Sequence, residues 1–204
     1  MREVLPISYD ETKPFLLGVH YARRMPCIQY AFGLFINGTL SGCVTYGQPA
    51  SPSLCKGVAG EINRKNVLEL NRLVITDDTA NNASFLVGAS LRMLPAHRFI
   101  VSYADIEGWG HVGYVYQATN WLFTGKTKSR TDKYSESGHS RHYEPGETRR
   151  QYRTAKYRYV FLTGTKRDRK AMLKELRYPI IPEYPKGEST HYDTSDPMPL
   201  KGVI

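Results

Sequence analysis

His20-Tyr21, Arg72, Ser84, Asp105 and His111 are the side chains whose types and settings could carry out chemistry. His20 and Tyr21 sit together at the predicted end of a helix, and Asp105 stands at the end of an apolar strand, where α/β folds commonly place functional groups. Imidazole nitrogen, phenolate and carboxylate together make a donor set suited to an oxidisable metal such as iron. The competing reading is that His20 caps its helix and Tyr21 packs in the core. Arg72 falls inside Val67-Leu-Glu-Leu-Asn-Arg-Leu-Val-Ile75, and a charge in an apolar strand needs a partner. That partner is either Glu69 or Asp105, or an anionic or carbonyl group of a substrate. Ser84, near a helix start, either donates to a reacting oxygen or satisfies a free backbone group. His111 is a proton carrier or a first-turn surface residue.

A second chemical feature is charge. The chain of 204 residues carries a formal net charge of +9, and its location matters more than its size. Residues 126–177 hold sixteen Lys and Arg against six Asp and Glu, while residues 1–125 hold ten against nine. Each Lys or Arg that neutralises a phosphate releases a condensed counterion, so the basic segment calls for a polyanion, with nucleic acid ahead of an anionic membrane surface. Lys126, Lys128, Arg130, Arg149, Arg150, Arg153, Lys156, Lys166, Arg167, Arg169 and Lys170 are the expected contacts. The interleaved tyrosines offer faces for an unstacked base, and the alternative is a solvated charged surface.

The elements that must position these groups follow from local pattern. Val4–Ile7 reads as a strand and Asp10–Val19 as a helix, with Asp10 near its N-cap and Pro14 in its first turn. Tyr30–Ile36 and Leu40–Tyr46 flank Asn37-Gly38, the signal of a hairpin closed by a type I′ turn. Residues 47–66, rich in Gly, Pro and Ser, read as a loop. Val67–Ile75 is a strand, Ala83–Leu94 a helix buried over much of its circumference, Phe99–Ala104 a strand ending at Asp105, His111–Thr119 a helix and Trp121–Thr124 a strand. Residues 126–157 form a basic insertion with little apolar periodicity, expected to be mobile or ordered by a ligand. Arg158–Leu162 is a last strand, and Lys166–Leu176 a helix capped by Thr165. The tail, residues 178–204, carries five prolines and is expected to run extended over the body.

This order predicts one domain over residues 1–177, an α/β sandwich with a mixed, mainly antiparallel sheet. Cys27, Cys43 and Cys55 form no C-x-x-C spacing and leave one thiol unpaired in any disulfide scheme, which argues for a reducing compartment. The sequence starts without an apolar leader and holds no run long enough to span a bilayer, so a soluble protein of the host cytoplasm is expected.

The element order matches the fold of the GCN5-related N-acetyltransferases. More specifically, His20-Tyr21, Leu68-Glu-Leu-Asn-Arg-Leu73, Asn82-Ala-Ser-Phe-Leu-Val-Gly88, Ser102-Tyr-Ala-Asp105 with Gly110-His111, Tyr116-Gln-Ala-Thr119 and Arg177-Tyr-Pro-Ile-Ile-Pro182 together resemble the Mom-type phage DNA-modification proteins. The resemblance implies an enzyme that converts the N6 amine of adenine in double-stranded DNA to a methylcarbamoylated form, shielding phage DNA from restriction. It also implies a metal role for His20, Tyr21 and Asp105. An adenine extruded from the stack needs an aromatic face near Asp105, and Tyr114 and Trp109 are the expected candidates. One departure stands out. Acetyltransferases of that fold cradle a pyrophosphate on backbone amides of a glycine-rich turn at a helix N-terminus; the matching turn here is Asp77-Asp-Thr-Ala-Asn-Asn-Ala-Ser84, whose carboxylates repel an anion. Acetyl-coenzyme A is therefore disfavoured as donor. The alternatives are a coenzyme A-dependent acetyltransferase acting on a protein or small amine, and a DNA-binding protein without enzymatic activity.

Overall fold

Asn37 and Gly38 adopt φ angles of 51° and 83°, the pair of positive values a type I′ turn requires. They join β2 (Tyr30–Ile36) to β3 (Thr39–Gly47), and the sheet is built outward from this hairpin. In the computed structural model, which describes residues 1–77, 79–106, 110–135 and 144–187, β1 (Arg2–Pro6) pairs with the outer edge of β2 and β4 (Val67–Ile75) with β3, both antiparallel. β5 (Phe99–Asp105) lies parallel to β4, and β9 (Lys156–Leu162) runs antiparallel between β5 and β6 (Leu122–Lys126). The seven strands take the order β1-β2-β3-β4-β5-β9-β6. With helices on both faces, the result is the expected α/β sandwich with a mixed, mainly antiparallel sheet.

Strand alternation sends successive side chains to opposite faces. On one face α3 (Asn82–Met93) and α4 (Tyr114–Ala118) cover a core that includes Val44, Tyr46, Leu68, Leu70, Leu86, Ile100, Trp121 and Tyr159. On the other, α2 (Pro52–Asn63) and α5 (Lys166–Glu175) cover Val67, Phe99, Val101, Val160 and Met172. A third, smaller cluster of Leu16, Cys43 and Val74 packs with Phe15, Val19 and Ile28. Cys43 and Val74 are directly paired across β3 and β4 and lie on the same face as α2. That face thus carries two apolar clusters with a polar interval between them.

Four local expectations are corrected. Residues 47–66 are not a loop: Pro52 opens α2, whose Cys55, Val58 and Ala59 are buried. Its glycines serve packing, since a Cβ on Gly57 would stand 2.6 Å from the Tyr178 hydroxyl, and Gly60 bends the helix at φ 73°. Ser8, not Asp10, caps α1 (Tyr9–Lys13), in a capping box with Glu11. Pro14 then begins a π-helical turn, Pro14–Val19, because a residue without an N–H cannot continue the α ladder. The helix expected at His111–Thr119 is confined to α4 by Gly113 at φ 82°. Finally, the basic insertion contains a two-stranded antiparallel ribbon, β7 (Arg130–Lys133) with β8 (Arg150–Arg153). Beyond it the chain from Tyr178 to Gly187 lies over the body, Ile181 N–H donating to Phe123 O at 2.9 Å and Tyr184 Oη to Trp121 O at 2.7 Å. Among the described residues no helix is long and apolar enough to cross a membrane.

Candidate functional site

The site begins with a one-residue irregularity in β4. Thr45 of β3 pairs with Arg72 and Tyr46 with Leu70, so Asn71 is an extra residue, a β-bulge. Simple alternation would turn Arg72 to the same face as Leu68 and Leu70. The bulge instead sets Arg72 beside Glu69, in the polar interval on the α2 face. Asn71 fixes the bulge, accepting from Thr45 Oγ1 at 2.6 Å and donating to Cys27 O at 2.8 Å. Pairing between β4 and β5 stops at Glu69 and Val101. Beyond that point the strands part, and Ser102 Oγ spans the gap, 3.0 Å from Leu70 O and 2.8 Å from the Tyr116 hydroxyl.

His20 and Tyr21 reach the interval from the π turn. His20 N–H donates to Phe15 O at 2.8 Å, Arg23 N–H returns to His20 O at 2.9 Å, and the two rings lie 4.3 Å apart. His20 is buried, and burial together with the Arg72 and Arg24 charges pushes its pKa down to about 3. The imidazole is therefore neutral. Its Nδ1 accepts from Ala22 N–H at 2.9 Å, which leaves the proton on Nε2.

Arg72 pairs with neither carboxylate proposed for it. Among the described residues no ion-pair partner lies within 4.0 Å; Nη1 donates to Asn71 O at 2.6 Å and Nε finds no acceptor. Burial lowers its pKa, and Tyr21 and Glu69 oppose that effect while Arg24 adds to it. Burial raises the Glu69 carboxyl against the pull of Arg72 and Lys156. Asp105, on the same face two residues beyond Tyr103, accepts from Thr154 Oγ1 at 2.9 and 3.1 Å and lies 3.6 Å from Lys156 Nζ. His111 follows closely, its N–H on Asp105 O at 2.9 Å, with its pKa pushed down to about 4 by burial. The structure thus brings His20, Tyr21, Glu69 and Arg72 together, with Asp105, His111 and Lys156 at the adjoining strand end.

The expected cations divide into two groups. Lys126 and Lys128 flank β9 at the Lys156 end, where Thr127 N–H donates to Lys156 O at 2.8 Å. The ribbon adds Arg130, Arg149, Arg150 and Arg153 there. Asp132 holds Arg130 at 3.1 Å and Arg153 at 3.2 Å, Glu147 holds Arg149 at 2.6 Å, and Arg150 donates to Thr131. Arg149 also stacks over Tyr134 at 4.3 Å. Lys166, Arg167, Arg169 and Lys170 stand on α5, which follows the Leu162 end of β9 and packs beside α2.

Ser84 and Tyr114 are displaced from this site. Ser84 lies in the first turn of α3 on the opposite face of the sheet, where its hydroxyl donates to Asn81 O at 3.1 Å and caps no backbone N–H. The Tyr114 hydroxyl donates to Gly187 O beside a 510 Å³ pocket lined by Gln117, Tyr184 and Lys186. Trp109 lies outside the described residues. Arg24 and Thr154 are not among the site residues expected from the sequence, and Glu69 is expected only as a partner for Arg72; the turn at Arg23, the ribbon and the bulge that bring them in leave no local pattern.

The metal expectation does not fit this arrangement. The His20 lone pair is engaged by Ala22 N–H, its other nitrogen carries a proton, and the nearest charges acting on the ring are guanidinium groups. Ligation would require giving up that bond or that proton. Across the sheet, in the turn before α3, the Asp77 carboxylate accepts from Thr79 N–H at 2.9 Å and Asn82 Nδ2 at 3.0 Å. The carboxylate is thus held within its own turn.

The model of the Mom protein family matches residues 2–186. Methylcarbamoylase mom of Escherichia phage Mu is 32% identical over 116 residues, covering 54% of this chain and 48% of the relative. The match therefore spans about half the length of that curated relative. Among solved structures, a GNAT-family acetyltransferase from Bacillus cereus is 12% identical with a TM-score of 0.46, covering 81% of this chain and 99% of the other. An N-acetyltransferase from Staphylococcus aureus is 12% identical with a TM-score of 0.48, covering 79% and 98%.

Proposed function

This chain belongs to the Mom protein family, and from that premise we propose that it is a phage DNA-modification enzyme that converts adenine N6 in double-stranded DNA to a methylcarbamoylated form, protecting phage DNA from host restriction. The observation that carries the reading is the bulge at Asn71, which sets Arg72 beside Glu69 on the face and at the strand end where Asp105 and the basic ribbon lie.

The N6 amine is a Watson–Crick donor inside the stack, so the base must be extruded before a new bond forms, at a cost of order a few kcal/mol. In this reading the ribbon and the Lys126 to Lys128 segment hold the backbone through phosphate contacts. Tyr21, 44% exposed beside the polar interval, offers an aromatic surface for the extruded base. Asp105, oriented by Thr154 and Lys156, takes the proton leaving N6. Arg72 positions the electron-rich group of the donor. Acetyl-coenzyme A is disfavoured as that donor, a view supported by Asp77 filling the turn before α3.

Mass spectrometry of nucleosides from plasmid DNA of cells expressing the chain tests the proposal. A modified deoxyadenosine is expected, falling at least 100-fold in Arg72→Ala and Asp105→Ala. Unaltered deoxyadenosine with the wild-type chain overturns it, and stabilisation of the protein by coenzyme A would favour the acetyltransferase alternative.

A further inference from the structure

We propose that Arg24 and Arg72 together form a binding site for an oxyanion, a phosphodiester or a carboxylate, beside His20 in the polar interval of the sheet face. Arg24 Nη1 and Arg72 Nε are both buried and have no acceptor among the described residues. A buried donor left unpaired bears the full cost of its desolvation, and more when it is charged. Two such nitrogens on neighbouring guanidinium groups are costly to keep unless something completes them.

The surroundings select the sign of that partner. No described carboxylate stands within 4.0 Å of either guanidinium: Asp132 and Asp105 are engaged by Arg153 and Lys156, and Glu69, whose charge reaches Arg72, forms no ion pair with it. Arg153 acts on Arg24 and Arg24 on Arg72, so several positive charges converge, offset in part by Tyr21 and by the Glu69 carboxylate. His20 adds a donor, because its Nδ1 accepts from Ala22 and Nε2 therefore carries the proton. Guanidinium N–H groups match the oxygens of phosphate and carboxylate in spacing and direction. The chain also places Arg24 deliberately: Arg23 takes the left-handed φ of 39° and closes a turn back on His20, returning Arg24 toward the sheet.

The existence of the site is independent of the reaction proposed above, whereas its natural occupant rests on that reading. The occupant is either a phosphodiester of the bound strand or the anionic group of a soluble donor. Thermal-shift titration of the full chain with inorganic phosphate, at constant ionic strength, tests the site. Saturable stabilisation is expected for the wild type and for Arg167→Met on α5, with at least ten-fold weaker phosphate affinity in Arg24→Met and Arg72→Met. Arg24→Lys, which keeps the charge and loses the fork, serves if Arg24→Met does not fold, and is expected to weaken binding too. An equal response in all variants overturns the site.

Duplex binding then separates the sources. If a phosphodiester occupies the site, Arg24→Met lowers the slope of log affinity against log salt by about one. An unchanged slope with phosphate binding lost assigns the site to the donor. Loss of phosphate binding in the variants, with no modified nucleoside made by the wild type, would uphold the site and remove the proposed reaction.

Discussion

The two ends of β9 are both basic and built on opposite principles. At the Lys156 end, cations sit among partners and gaps: Lys156 on Asp105, Arg153 on Asp132, Arg24 and Arg72 with buried nitrogens that no described residue fills. At the Leu162 end, α5 is a regular capped helix whose Met172 packs on Val160 and Leu162 while Lys166, Arg167, Arg169 and Lys170 stand exposed. Six residue steps separate the ends, about 20 Å at strand rise. Charge that is continuous along the chain is therefore split in space, and its density in sequence does not say which half serves a site.

Removing charge at each end gives the largest separation. Arg149, Arg150 and Arg153 replaced together by Ala should weaken duplex binding about 100-fold near physiological salt and reduce the salt slope by two to three, as measured by fluorescence anisotropy. The same number of substitutions on α5, Lys166, Arg167 and Lys170 to Ala, should change affinity less than about three-fold. Equal losses would mean that the duplex reaches both ends and would erase the distinction.

A smaller effect, by pH, sharpens it. His20 in the site is held neutral, its pKa pushed down to about 3, whereas in the unfolded chain it titrates near 6.5. The unfolded state thus takes up a proton first, so the His20 contribution to stability is complete above pH 6.5 and is lost as the pH falls toward 3. At pH 5.5 this amounts to about 1.4 kcal/mol. His20→Asn, whose side-chain oxygen can accept from Ala22 N–H, should flatten denaturant-measured stability between pH 7 and 5.5 relative to the wild type. A slope unchanged by the substitution would place the acid sensitivity elsewhere, with His111 the next candidate.

What was legible in the sequence were features with a local chemical cause. Asn37-Gly38 announces its turn because few residue pairs accept two positive φ angles, and Thr165 announces a helix start because its hydroxyl caps it. The mixed sheet followed from the order of such elements. Arg72 and Asp105 were legible as residues, but their common face was not, because it depends on the bulge at Asn71, which no alternation pattern marks. α2 was hidden by glycines that look like helix breakers and in fact admit Tyr178 and a bend. The ribbon, polar on both faces, has no periodicity to read. The separation of α5 from the site is a matter of topology alone: β9 runs antiparallel to β5, so the chain leaves the site end and delivers its last basic helix to the other.

The smallest prediction asks whether the far end matters to the near one at all. Thr165 Oγ1 accepts from Asp168 N–H at 3.2 Å, and Asp168 Oδ2 accepts from Thr165 N–H at 2.9 Å and from its hydroxyl at 2.7 Å. Thr165→Ala removes the hydroxyl and both of its bonds, at a cost of about 1 kcal/mol, which lowers the melting temperature of a chain this size by roughly 2–4 °C. Nothing in that loss touches Arg72, Asp105 or the ribbon. Nucleoside modification and duplex affinity measured well below the melting temperature should therefore equal those of the wild type. A variant that melts only a few degrees lower yet modifies no DNA would show that α5 acts on the site directly, through the duplex or through the sheet, and the two ends would have to be treated as one surface.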